Sequence, residues 1–212
     1  LLQDAINRNP EMKPIKKDSR ISLKDTQIGN LTNRITFISK AIQRLTKLQI
    51  IYFANSPFTY DNIAVDWEDA NSDYAKQYEN EELSWSNLKD LTDVELYNCP
   101  NMTQLPDFLY DLPELQSLNI ACNRGISAGQ LKADWTRLAD DEDTGPKIQI
   151  FYMGYNNLEE FPASASLQKM VKLGLLDCVH NKVRHLEAFG TNVKLTDLKL
   201  DYNQICLLYT SD

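Results

Sequence analysis

No apolar run in these 212 residues approaches the ~20 that a membrane-crossing helix needs, so a helical span is not expected. Basic residues are the minority, 22 Lys+Arg against 30 Asp+Glu for a net charge of -8. That balance argues against nucleic acid and anionic membrane surfaces, both of which select basic patches. Cysteine is sparse, and none of the four makes a CxxC pair, so neither a metal site nor a dithiol redox motif is supported. Phosphate loops of the GxxxxGK[ST] type, GxSxG elbows and HExxH pairs are all missing, and with them any positive sign of an enzyme or a cofactor. The acidic run Asp140–Asp143 lacks the DxDxDG spacing that arranges oxygens around calcium and reads as a solvated loop. The opening Leu1-Leu2-Gln3-Asp4 is no signal peptide, but a trimmed chain would lack one too, which leaves the compartment open.

What is present is a spaced apolar phrase, LxxLxxLxLxxNxL, in six copies. Two are loose: Leu45, Leu48, Ile51, Phe53, Ser56 and Phe58, then Leu88, Leu91, Val94, Leu96, Cys99 and Met102. The clearest runs Leu112, Leu115, Leu118, Ile120, Asn123 and Ile126, its last position slipped by one. The others are Ile148, Phe151, Met153, Asn156 and Leu158; Met170, Leu173, Leu176, Cys178, Asn181 and Val183; and Leu195, Leu198, Leu200, Asn203 and Ile205. Alternate residues of a strand share a face, so each LxL places two side chains in one interior. The Asn is a hydrogen-bonding rung that satisfies backbone groups at the bend. Ser56 and Cys99 stand at that position, Ser able to do the job only in part.

Rung-to-rung intervals of about 24, 25 and 22 residues (Cys99 to Asn123, Asn156 to Asn181, Asn181 to Asn203) fit one coil of roughly 20–29 residues each. Ser56 to Cys99 is about 43 and Asn123 to Asn156 about 33, so insertions are expected near 59–87 and 127–147. Both begin after the rung, which predicts an uninterrupted strand face. Residues 1–37 read as an N-terminal cap or degenerate first coil, in which Ile28, Asn33 and Ile35 echo the end of the phrase. The coils occupy 38–205. Helical spacing predicts a returning helix over Ile38, Ala41, Ile42 and Leu45, and short helices carrying Trp67, Ala70 and Tyr74 in the first insertion and Leu131, Trp135 and Leu138 in the second. Residues 206–212 form neither a coil nor a polar cap, which predicts that the array continues beyond them or that they are not native.

As a set, the six phrases resemble the leucine-rich repeat superfamily. Irregular coils and the Leu105-Pro106 and Phe161-Pro162 steps look like bacterial cell-surface members. The resemblance implies an α/β solenoid, with a curved parallel sheet on the concave face and helices and irregular segments on the convex side. It also implies protein recognition. The position between the two core residues is then Tyr52, Glu95, Asn119, Tyr152, Asp177 and Lys199. Further along lie Tyr97, and beyond it Tyr155, His180 and Tyr202. Five tyrosines on one surface suit a binding face, since tyrosine gives large contact area at low entropic cost. The competing reading is that aromatics are simply favoured on β-surfaces. His180 lies near Asp177 and Asp201 of adjacent coils, but exposed polar strand positions explain the three as well as a catalytic dyad does.

The sequence therefore predicts a non-enzymatic module that binds a protein, with a glycan as the lesser possibility. Display outside the cell is favoured; no nucleic acid, membrane insertion, metal or cofactor is expected. The alternative is the recognition arm of a larger enzyme or regulator whose catalytic part lies outside this chain.

Overall fold

The computed structural model describes residues 20–22, 38–57, 63–65, 83–123, 137–138, 146–160, 168–186 and 194–206. Nine short strands lie among them: β1 (Arg20–Ser22), β2 (Ile38–Ser39), β3 (Ile50–Tyr52), β4 (Ile63–Val65), β5 (Asp93–Glu95), β6 (Ser117–Asn119), β7 (Ile150–Tyr152), β8 (Leu175–Asp177) and β9 (Asp197–Lys199). Seven form one parallel sheet in the order β1-β3-β5-β6-β7-β8-β9, and β2 pairs with β4 in a separate two-stranded sheet. No described helix is long and apolar enough to cross a membrane.

The register shows why the leucine spacing matters. Ile21, Ile51, Val94, Leu118, Phe151, Leu176 and Leu198 are successive Cα partners across the sheet. From Ile51 to Leu176 this row is buried, and a second row runs beside it through Phe53, Leu96, Ile120, Met153 and Cys178. Each large apolar side chain so enclosed stabilises the fold by about 1.5–3 kcal/mol relative to exposure. Across the two long intervals, from β3 to β5 and from β6 to β7, the pairing stays in step, as expected of an uninterrupted strand face.

That limb differs from the helical expectation. Lys40–Arg44, Trp85–Asn87 and Asp107–Asp111 are 3-10 turns, and Ile38–Ser39 is strand rather than helix. A coil of about 24 residues must reverse direction within a few residues, which the tighter 3-10 turn does and an α-helix of several turns does not. Trp85 stacks on Phe108 with centroids 4.4 Å apart, packing two successive limbs together. In the second insertion 137–138 are helical, with Leu138 buried and Arg137 both 4.0 Å above the Tyr110 ring and 2.8 Å from Asp107. The helix expected around Trp67 to Tyr74, and the echo at Ile28 to Ile35, lie outside the described residues.

The rung asparagines form a ladder. Asn123 Oδ1 accepts the Cys99 N–H at 2.6 Å, Asn156 Oδ1 that of Asn123 at 2.6 Å, and Asn181 Oδ1 those of Asn156 and Leu158, both at 3.0 Å. Each amide nitrogen donates to its own coil and to the preceding one, as Asn181 does to Cys178 and Met153 carbonyls. Only a side chain holding donor and acceptor together can do this. Where the ladder starts, the Cys99 thiol donates to the Phe53 carbonyl at 3.3 Å and the Ser56 hydroxyl to Ala54 within its own coil at 3.3 Å.

Cys99 and Cys178 are buried core residues. Burial pushes the Cys99 thiol up to about 12, against a smaller opposing pull from the Ser56 N–H. Burial, then the Asp177 charge, raises Cys178 well above the ordinary thiol value. The thiolate is the reactive form, so the burial that raises these thiols also suppresses their reactivity. Iodoacetamide at that pH is expected to label exposed Cys206 and spare Cys99 and Cys178 until denaturant is added. Peptide mapping by mass spectrometry checks this, and native labelling of Cys99 at the Cys206 rate contradicts the burial.

Candidate recognition face

The face opposite the core is built by the strand alternation. Tyr52, Glu95, Asn119, Tyr152, Asp177 and Lys199 are successive Cα partners, so the six residues expected between core positions form one row across six strands. Two of them also serve the fold. Asn119 Oδ1 accepts the Ala121 N–H at 3.0 Å, and Asp177 Oδ1 that of Val179 at 3.2 Å, closing the strand ends. Asp177 Oδ2 lies 3.6 Å from Lys199 Nζ. The Asp177 oxygens are thus engaged by the neighbouring backbone and by Lys199, which weakens the acid–histidine reading of Asp177 and His180.

A second row on the same face escaped the sequence reading: Ile50, Asp93, Ser117, Ile150, Leu175 and Asp197, again successive partners. The signal was available, since the period of 2 continues on the N-terminal side of the first core residue. Its large apolar members are Ile50, Ile150 and Leu175, of which Ile150 is 37% exposed and the other two half-buried.

Beyond the strands the chain bends toward the rung, and every residue at that bend is left-handed: Asn55, Asn98, Cys122, Tyr155, His180 and Tyr202 have φ between 51° and 64°. The N–H of one bend donates to the carbonyl before the bend of the next coil, as in Asn55 to Tyr97 at 2.9 Å and Tyr155 to Val179 at 3.0 Å, which holds the conformation. Asparagine and histidine tolerate this region, but tyrosine enters it rarely. Strain of this kind persists only where surrounding structure fixes it, and it concentrates at functional sites.

Here the bend aligns three rings. Tyr155 stacks on His180 at 4.3 Å and 15°, and His180 on Tyr202 at 4.0 Å and 11°. Tyr155 is 41% and Tyr202 75% exposed. Tyr97, near Cys122 and Tyr155, has its phenol raised above the ordinary value, first by hydrogen bonding to and charge on Cys122, then by burial and Glu95. The structure thus brings Tyr97, Tyr155, His180 and Tyr202 to one margin of the face, and Tyr52 and Tyr152 to the row beside it. Among the described residues no group of three or more His, Cys, Asp or Glu is placed to hold a metal ion.

Comparison with known proteins follows this geometry. A crystal structure of a leucine-rich repeat protein from Bacteroides eggerthii DSM 20697 is 60% identical, matches 97% of this chain and superposes with a TM-score of 0.76. The match covers 33% of that protein, so this chain spans about a third of its length. An internalin from Listeria monocytogenes is 19% identical (TM-score 0.39; 82% of this chain, 53% of that one), and a leucine-rich repeat protein from Leptospira interrogans 16% (TM-score 0.34; 83% and 48%). No family model and no curated protein matches the sequence.

Proposed function

Since this chain is a leucine-rich repeat protein, we propose that the open, concave face of its sheet recognises a protein partner and that the chain carries out no chemistry of its own. The observation that carries this reading is the concentration of tyrosines on that face, with Tyr155 and Tyr202 held in a backbone conformation that tyrosine rarely adopts. Rigid aromatic anchors on a preorganised surface lower the entropic cost of association. In the stack, both faces of the His180 ring are covered by tyrosines, which holds the three rings as one rigid unit at this margin. Display outside the cell belongs to the same reading, by the likeness to bacterial surface proteins. A face of this kind would serve equally as the recognition arm of a longer protein, in keeping with the fraction of the Bacteroides protein that the chain spans.

The test is affinity capture with the parent, with Tyr152→Ala/Tyr155→Ala, and with Glu159→Gln/Glu160→Gln, which alters exposed residues past the rung. Truncating two central aromatics should weaken capture of a specific partner at least tenfold, at about 1–2 kcal/mol or more for each hot spot, while the Glu pair has no effect. Equal capture by all three proteins refutes the proposed face.

A further inference from the structure

Gly154 stands one residue before the bend of its coil, in the position that holds Ala54, Tyr97, Ala121, Val179 and Asp201 in the others. Its own φ lies outside the left-handed region, so the turn itself does not call for a glycine. The reason is space. A Cβ on residue 154 would lie 3.0 Å from Val179 Cγ2, 3.1 Å from the Val179 carbonyl oxygen and 3.6 Å from Asp177 Oδ1. The next coil therefore fills the room that a side chain would take. Val179 has little freedom to withdraw, because its N–H donates to Asp177 Oδ1 at 3.2 Å and its carbonyl accepts from the Asn181 amide at 3.4 Å. The same carbonyl accepts the Tyr155 N–H at 3.0 Å, the bond that holds Tyr155 at φ 60°. Val179 leads directly into His180, whose ring lies 4.3 Å from that of Tyr155.

We propose that Gly154 is a positioning residue of the aromatic margin: by leaving its side-chain space to Val179, it lets the bends after β7 and β8 close on each other and seats Tyr155 against His180. Gly154 is buried and acts through these neighbours. The device is a matched pair, a glycine beneath a β-branched valine; at the following bend the position stacked on Val179 is Asp201, whose Cβ carries a single branch. There His180 and Tyr202 reach 4.0 Å without a glycine. An alanine at 154 would force Val179 back by a few tenths of an ångström, and with it the acceptor of the Tyr155 bond and the backbone entering His180. Close-packed surroundings transmit such a shift. If this face binds a protein, Gly154 sets the shape of its aromatic edge; the rings are observed with no partner present, so the two readings fail separately.

Proton NMR of the whole chain at one fixed pH supplies the signature, since His180 and His185 are the only histidines and His185→Gln assigns their ring signals. A ring between two tyrosine faces is shielded, so the His180 signals should lie upfield of those of His185. Tyr155→Ala marks how much of that displacement Tyr155 supplies. Gly154→Ala should move the His180 signals toward their place in Tyr155→Ala and raise amide exchange at Tyr155 about fivefold or more, as loosening one hydrogen bond of ordinary net strength does. Gly174→Ala is the control, because a Cβ there meets only the Lys194 and Gln149 carbonyls, at 3.6 and 3.7 Å. It should leave both readouts unchanged. Adding Val179→Ala to Gly154→Ala removes the closest contact and should return the His180 signals to where Val179→Ala alone places them, whereas a general loss of stability would only deepen with a second truncation. Unmoved His180 signals in Gly154→Ala, equal movement in Gly174→Ala, or no return in the double variant overturns the proposal.

Discussion

Replacing Phe151 by alanine is expected to lower the free energy of unfolding by about 3–5 kcal/mol, as large buried aromatics do when truncated. Phe151 is 0% exposed and stands in the central core row between Leu118 and Leu176. The hole cannot collapse easily, because β6 and β8 are held at strand spacing by the parallel pairing on either side. In a stacked array each coil is stabilised chiefly by its neighbours, so the loss also uncouples the two halves. The three tryptophans, at 67, 85 and 135, all precede β7. Urea unfolding followed by tryptophan fluorescence should then part from unfolding followed by far-ultraviolet circular dichroism, which reports the whole sheet. Coincident curves with a loss under about 1 kcal/mol would mean that Phe151 is not the keystone its burial implies.

Asn181→Ala should cost nearly as much without opening a large cavity. The amide of Asn181 accepts from Asn156 and Leu158 and donates to Met153 and Cys178. Its removal strands four backbone groups, three of them (Asn156 N–H, Leu158 N–H and Met153 C=O) in the preceding coil, and each buried unsatisfied group costs about 1–3 kcal/mol before relaxation or water entry. A net loss of about 3 kcal/mol is expected, with amide exchange accelerating first in residues 153–158 and 176–183. Asn181→Asp is a sharper control, since it keeps the acceptor and removes the donors. Cys99→Ala should cost less than either, because its thiol makes only one short link to the preceding coil, at 3.3 Å to Phe53. If all three variants lose equal stability, the ladder is not the source of the effect.

Both expectations rest on features legible in the sequence. The leucine spacing fixed which side chains point inward, and the recurring Asn marked the rungs, because a period of 2 and an obligatory pairing of buried amides leave few alternatives. Tyr52, Glu95, Asn119, Tyr152, Asp177 and Lys199 fell into one row for the same reason. The missed row of Ile50, Asp93, Ser117, Ile150, Leu175 and Asp197 was accessible to the same rule, applied one step upstream. The returning limbs were less legible. Helical spacing around Ile38 to Leu45 was outweighed by the short distance available for the reversal, and the 3-10 turn was the outcome.

Sequence by itself determined the repeat, the parallel stacking and the inward-facing residues, since these follow from local periodicity and from the requirement that apolar side chains leave water. Tertiary structure alone decided what residues from different coils do to one another. The Tyr155–His180–Tyr202 stack, the left-handed bend that makes it and the pairing of Lys199 with Asp177 join positions 22 to 25 residues apart. Stacking and ion pairing act over a few ångströms, and only the register of one coil on the next brings such distant residues within that range.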